Sequence, residues 1–397
     1  MFVGTARSAI GVPSSANRDT LEVAKGVPMN ESASRNVYDE LVDTLREVGE
    51  KWVAPEYGVT GPDDTAEAFR NLTHFLQSAL VAHQEFDPER PVFNRIVSPT
   101  RSFTGDNADA VYFEAPVNGD RSYRVRGNIA GAVYTSFTME AGANDGRWSS
   151  GIHGVLNDND IDVDADGNYE IAIGGDETTR NQLSIPRDGG RITTRHYFEW
   201  PVSAAASQAL HIPLTIEAID PPPPPERWND ERVSAALQRV INHVRAKTLE
   251  APNPGQVRPS WVSTVPNTFP APEKPGAMGF AAADAAYSMA PFVLGPDEAL
   301  VITGRWPQCR FANVCLWNRF GQMFDYVNRS VSRNRANTTL EADGSFRMVL
   351  AHRDPGVPNW LDTEGRSSGT IFWRFFLPEG PIETPRAEVV RFADLAP

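Results

Sequence analysis

The chain has 397 residues, 41% of them hydrophobic, enough to bury a core without disulfide or metal staples. Lysine and arginine total 37 against 51 aspartates and glutamates, and the net charge of −14 argues against nucleic acid or an anionic membrane surface as a partner. No apolar run approaches the ~20 residues that cross a bilayer.

Residues 1–30 carry Gly, Pro and Ser without a period, which predicts a loose surface arm. The start, Met-Phe-Val-Gly-Thr-Ala-Arg-Ser, lacks the apolar core of a signal peptide, so a cytoplasmic protein is expected. Val37, Tyr38, Leu41, Val42, Leu45, Val48 and Trp52 then recur at helical spacing. Asp63 and Asp64 are placed to cap a second helix whose expected apolar face is Phe69, Leu72, Leu76 and Leu80. These helices are expected to cover a sheet or a subunit contact.

From Val111 the pattern changes to short β-type runs separated by turn residues, among them Tyr123–Gly127, Val133–Met139, Tyr169–Ile173 and Thr193–Phe198. Five prolines, Pro221–Pro225, make a stiff spacer. A helix capped by Asn229 follows, with Val233, Leu237, Val240, Ile241 and Val244 on one face. A Pro-rich connection over 251–275 leads back to β-type runs near Met289. Cys309 and Cys315 are the only cysteines; on one strand they lie ~20 Å apart, beyond disulfide reach, and read as buried apolar residues.

The two β regions repeat each other. Ala115-Pro116 matches Ala290-Pro291, Asp164–Tyr169 matches Glu341–Phe346, Asn181-Gln182-Leu183 matches Asn359-Trp360-Leu361, and Arg195 matches Arg374. The spacing drifts smoothly, from 175 at Ala115/Ala290 through 177 at Gly167/Gly344 to 179 at Arg195/Arg374. Each copy needs the same turn chemistry, because Gly in an Asp-Gly hairpin supplies the positive φ. The expected fold is mainly β, with two duplicated jelly-roll-like β-sandwich halves and N-terminal and inter-half helices. The expected division is an arm with helices over 1–100, a first sandwich over 101–220, a spacer, helix and connection over 221–285, and a second sandwich over 286–397.

Three segments carry a family resemblance. Gly105-Asp106-Asn107-Ala108-Asp109-Ala110-Val111-Tyr112 resembles the Asn-Pro-Asp-x-x-Tyr segment of DUF1214, a bacterial family of unassigned activity, with Ala108 in place of its Pro. Asp354–Asp362 resembles the family's Asn-Trp-Leu block, and Arg374 in Phe-Trp-Arg-Phe resembles its last strand. The resemblance spans roughly residues 100–395 and implies a β-sandwich or jelly-roll fold. It implies no particular chemistry.

The chain has no phosphate-binding loop, no Gly-x-Ser-x-Gly elbow and no His-Glu-x-x-His. Its seven histidines show no His-x-His pair, so neither a transition metal nor another cofactor is expected. Asp162, Asp164, Asp166 and Gly167 match the first half of a calcium loop, but Ile173 stands where the bidentate Glu is needed, which favours a solvated turn.

Two polar blocks are the candidate sites. Asp106, Asn107, Asp109 and Tyr112 precede or open a strand, where they either form Asx turns or bind a polar substrate. His352, Arg353, Asp354, Asn359, Trp360 and Asp362 crowd eleven residues between two strands. Here His352 is the expected proton-transfer group, with Asp354 or Asp362 to orient it. Trp360, Asn359, Arg353 and Arg374 would hold a polar ring, with Trp360 facing a cavity shared with Arg374. The bland alternative makes this block a structural loop. Arg195 and Arg374, both among aromatic residues, are expected either to pair with a carboxylate at a sheet face, which their equivalence favours, or to aim into a pocket. The leading expectation is an intracellular hydrolase or lyase for a polar or carbohydrate-like small molecule, using side-chain acid/base chemistry. The alternative is a non-catalytic ligand-binding or assembly protein, and homo-oligomers fit either reading.

Overall fold

The computed structural model describes residues 32–175, 180–251, 258–276 and 281–395, so the arm expected over 1–30 lies outside the described residues. Two helices come first, α1 Ala33–Lys51 and α2 Pro62–His83. The first β region follows as β1 Asn94–Arg95, β2 Ala110–Pro116, β3 Tyr123–Asn128, β4 Tyr134–Ala141, β5 Gly151–Asn157, β6 Asn168–Ile173, β7 Gln182–Leu183, β8 Arg191–Tyr197 and β9 Leu214–Ala218. Helix α3, Asp230–Lys247, leads to the second: β10 Ala285–Val293, β11 Glu298–Gly304, β12 Phe311–Trp317, β13 Ser332–Asn334, β14 Phe346–Ala351, β15 Trp360–Asp362, β16 Ser368–Phe376 and β17 Arg386–Arg391.

The strands form four sheets: β1-β2-β8-β4-β5 and β7-β6-β3-β9 in the first half, β10-β16-β12-β13 and β15-β14-β11-β17 in the second. Pairing each strand from β2 to β9 with the strand eight later maps one half onto the other, down to the single parallel pair in each, β6 with β7 and β14 with β15. The duplication read from the repeated turns is therefore a duplication of topology. Gly167 and Gly344 sit at equivalent hairpin tips with φ of 87° and 81°, a conformation only Gly adopts without strain.

The first sandwich closes over Tyr123, Val125, Phe137, Met139, Ile171 and Ile192. The second closes over Leu300, Ile302, Phe346, Met348, Leu350 and Trp373, and its core runs on to Tyr134 and Tyr197 of the first. The reason is strand alternation. Along β16, Ile371, Trp373 and Phe375 turn into the second sandwich, while Phe372, Arg374 and Phe376 turn out toward the first. Phe376 lies 4.5 Å from both Tyr134 and Tyr197, ring centre to ring centre, so β10-β16-β12-β13 and β2-β8-β4 pack outer face to outer face.

The helices make a layer of their own. Leu41 of α1, Ala79 of α2, and Val240 and Ile241 of α3 share one cluster, so the N-terminal helices pack on α3 rather than directly over a sheet. Asn229 caps α3 as expected, accepting from the Arg232 amide. For α2 the expectation needs correcting: Gly61 holds the cap position and Pro62 opens the helix. Asp63 and Asp64 lie in its first turn, where carboxylates favour the helix dipole. Its buried stripe is also rotated, running through Ala68, Leu72, Phe75 and Ala79 while Phe69 and Leu80 are exposed. Small residues let α3 approach closely there, a choice that periodicity alone does not reveal.

Candidate functional site at the junction of the two sandwiches

The side chains of the polar block after β14 do not converge on one place among the described residues. His352 is half-buried, with Nε2 3.0 Å from the Gly295 carbonyl and Nδ1 2.7 Å from the Thr363 hydroxyl. A carbonyl only accepts, so Nε2 donates to Gly295. Among the described residues no carboxylate bonds the ring. Asp354 accepts from the Gly356 amide in an exposed turn, and Asp362 pairs with Arg329 at 2.8 Å. Arg353 is exposed over the Phe392 ring. Trp360 donates to the Ala351 carbonyl and packs with Val349, Val390 and Phe392 on the outer face of β15-β14-β11-β17. Arg374 lies on the outer face of the opposite sheet, so the two residues expected to share a cavity are separated by the second sandwich. Asn359 is buried and structural, bonding the backbone of Thr339 and Arg347.

The other block converges. The loop before β2 inserts Asp106, Asn107 and Asp109, all fully buried, against the outward face of the second sandwich. Asn107 and Asn313 of β12 exchange side-chain hydrogen bonds, at 2.8 and 3.3 Å. Asn313 also donates to Asp109 at 2.8 Å, and Asn334 donates to the other Asp109 oxygen at 3.1 Å. The Asp106 carboxylate accepts from the Met323 amide at 2.6 Å, and its carbonyl accepts from the Trp317 indole at 3.0 Å. Asp106 Oδ2 has no partner among the described residues. The Asx turn expected here is present, since Asn107 accepts from the Asp109 amide, but the side chains also reach the other half.

Arg374 enters the same place from β16. Its Nη2 donates to the carbonyls of Gly105 and Asp106 at 2.9 and 3.3 Å, and its guanidinium lies over the rings of Phe372 and Trp317. It is 3% exposed, and Nη1 has no partner among the described residues. Tyr112 completes the set, its hydroxyl 2.9 Å from that of Tyr197.

Burial sets the electrostatics. Loss of water pushes the carboxyls of Asp106 and Asp109 up to about 7, against the pull of the Met323 amide on one and of the Asn313 and Asn334 amides on the other. Burial likewise raises Tyr112 well above its ordinary range and pushes Cys315 up to about 12. The groups that can exchange a proton near neutrality are thus the two carboxyls. A buried polar atom without a partner costs ~1–3 kcal/mol, and the junction holds two of opposite character, Asp106 Oδ2 and Arg374 Nη1.

Sequence reasoning flagged Asp106, Asn107, Asp109, Tyr112 and Arg374 but missed Asn313, Asn334 and Tyr197. Asn313 did carry a signal: it is an amide in the middle of the otherwise apolar strand Phe311–Trp317.

Elsewhere, Asp164 forms an Asx turn, accepting from the amides of Asp166 and Asn168, and Asp162 pairs with Arg180. Cys309 and Cys315 are both buried and free. Among the described residues no helix is long and apolar enough to cross a membrane.

No protein-family model matches the chain, and no curated protein matches it. Among solved structures, a Vibrio parahaemolyticus protein aligns over 81% of this chain and 98% of its own at 10% identity, with a TM-score of 0.47. A Bacillus subtilis oxalate decarboxylase aligns over 78% of each chain at 7% identity and a TM-score of 0.20. Neither carries an argument about fold or chemistry at that distance. An uncharacterized protein from Burkholderia cenocepacia aligns over 92% of this chain and 99% of its own, at 27% identity and a TM-score of 0.77, so the two-sandwich architecture is shared over nearly its whole length.

Proposed function

We propose that the chain is an enzyme acting on a polar organic small molecule held at the junction of the two sandwiches. Asp106 is the acid/base group and Arg374 the anchor. One observation carries this reading: the unpartnered Asp106 Oδ2 and Arg374 Nη1 are buried together, and burial brings the Asp106 carboxyl to about 7, where it gives and takes a proton near neutrality. Remote kinship with the DUF1214 family is part of the proposal. Two of the three segments that carry the resemblance, Gly105–Tyr112 and the strand of Arg374, meet at this junction.

A second reading, ligand binding without chemistry, is favoured by the thiol of Cys315 and the phenol of Tyr112. Both are pushed up by burial, so neither is an activated nucleophile.

A metabolite screen by thermal shift, followed by product detection by NMR, tests both. The expected compound stabilises the natural chain, is consumed by it, and is bound but not consumed by Asp106→Asn. Binding without consumption by the natural chain selects the second reading. A ligand whose binding is indifferent to both Asp106→Asn and Arg374→Lys overturns the site.

A further inference from the structure

The duplication of the chain bears on the charge of what this site binds, an inference that rests on the reading above. On the two facing sheets the same rung recurs. Across β2-β8-β4 it is Tyr112, Arg195 and Ser136; across β10-β16-β12 it is Tyr287, Arg374 and Asn313. The arginines therefore occupy one position in two copies of the same sheet, and both are buried. Four residues along the neighbouring strand, the copies differ. The first has Glu140, counted from Ser136, and the second has Trp317, counted from Asn313.

That difference puts different groups beside the two cations. Arg195 has the buried carboxylate of Glu140 within electrostatic reach, itself held by the hydroxyls of Ser149 and Thr193. Arg374 has the Trp317 indole at 4.8 Å in that place. Its Nη2 donates to two neutral carbonyls, and among the described residues it makes no ion pair. Asp106 and Asp109 lie within electrostatic reach of Arg374, but neither side chain bonds it: Asp106 accepts from the Met323 amide and Asp109 from Asn313 and Asn334. A guanidinium buried on aromatic faces without a carboxylate partner is costly unless an anion completes it, and the planar Nη1 edge suits a carboxylate.

We propose that the junction binds a small organic monocarboxylate whose carboxylate meets Arg374 Nη1, the buried guanidinium edge that no described residue bonds. The adjacent Asp106 Oδ2 selects a ligand that carries a hydrogen-bond donor beside the carboxylate, as a hydroxy acid does, and disfavours a second anionic group.

The test uses the full chain with lactate, its neutral analogue lactamide, the dicarboxylate succinate, and the neutral polyol inositol, read by thermal shift and calorimetry. Lactate is expected to bind and raise the melting temperature, with lactamide and succinate at least tenfold weaker. Arg374→Lys should weaken lactate at least tenfold. Equal binding of lactate and lactamide overturns the proposal, and this comparison on the natural chain stands even if an Arg374 variant fails to fold. If inositol binds in an Asp106-dependent way and lactate does not, the carboxylate inference falls while the junction site survives. If no probe binds in a way that depends on Arg374 or Asp106, both fall.

Discussion

Asn181 and Asn359 hold the same left-handed backbone, φ 60° and 59°, and make the same three side-chain hydrogen bonds in their respective halves. Each accepts from one loop amide, Asp162 or Thr339, and donates back to the carbonyl of that residue. Each also donates to a strand carbonyl, Glu170 or Arg347. The motif locks the short parallel strand, β7 or β15, beside its neighbour, which explains why the asparagine recurs while the residue after it changes from Gln to Trp. Asn359→Ala should lose the bonds and strain the backbone, costing about 2–3 kcal/mol in chemical denaturation. Asn359→Gly keeps the backbone conformation and should cost less. Equal losses in the two variants would show that the left-handed geometry contributes nothing.

His352 bridges Gly295 and Thr363, and it does nothing at the junction in this structure. His352→Ala is expected to cost about 1 kcal/mol of stability and to leave binding and turnover of any junction ligand at the natural level. Loss of turnover with an unchanged melting temperature would return catalysis to the loop after β14.

Asp106 should make stability depend on pH. Burial raises its folded carboxyl to about 7, above the ~3.9 of an unfolded aspartate. The folded chain therefore retains a proton that the unfolded chain releases between these values. Stability from this group is full below pH ~4 and is lost as the pH rises through about 7. Asp106→Asn keeps an acceptor for Met323 and removes the titration. Its stability relative to the natural chain should climb from pH 5 to pH 7 by up to about 1 kcal/mol per unit. A pH-independent difference would contradict the burial argument. Asp109→Asn should behave differently, because both Asp109 oxygens accept from amide donors and one would face a donor instead.

The helical layer carries the opposite sign. His83 of α2 and His243 of α3 are buried, with Nε2 of one 3.1 Å from Nδ1 of the other. Whichever ring donates, one outer nitrogen is a donor and the other an acceptor, and neither has a partner among the described residues. Burial, with Lys247 and Arg191 nearby, holds both histidines well below their ordinary range. The folded state thus binds fewer protons than the unfolded one. Stability from the pair is full above pH ~6.5 and falls as the pH drops below it. From pH 7 to pH 5 the double variant His83→Phe, His243→Phe should therefore gain stability relative to the natural chain, read as the difference between their melting temperatures at each pH. A difference that stays constant with pH would mean the pair does not titrate on unfolding.

The duplication and its hairpin tips were legible in the sequence, because turn chemistry is local: Asp-Gly must stand where the chain reverses, whatever surrounds it. The members of the candidate site were partly legible too, since carboxylates and amides before a strand and an arginine within Phe372–Phe376 are conspicuous wherever they lie. Local reasoning misread the loop after β14, where the same polar residues that suggest catalysis are what an irregular segment needs to satisfy its own backbone. Only the tertiary structure decided that Asp106 and Arg374 meet. They are 268 positions apart in sequence, and their contact depends on two sandwiches packing outer face to outer face. Which face of each sheet turns outward, and which outward faces bury one another, is settled by the summed packing of Tyr134, Tyr197, Phe311 and Phe376 across the junction, a non-local quantity that no segment of the chain carries alone.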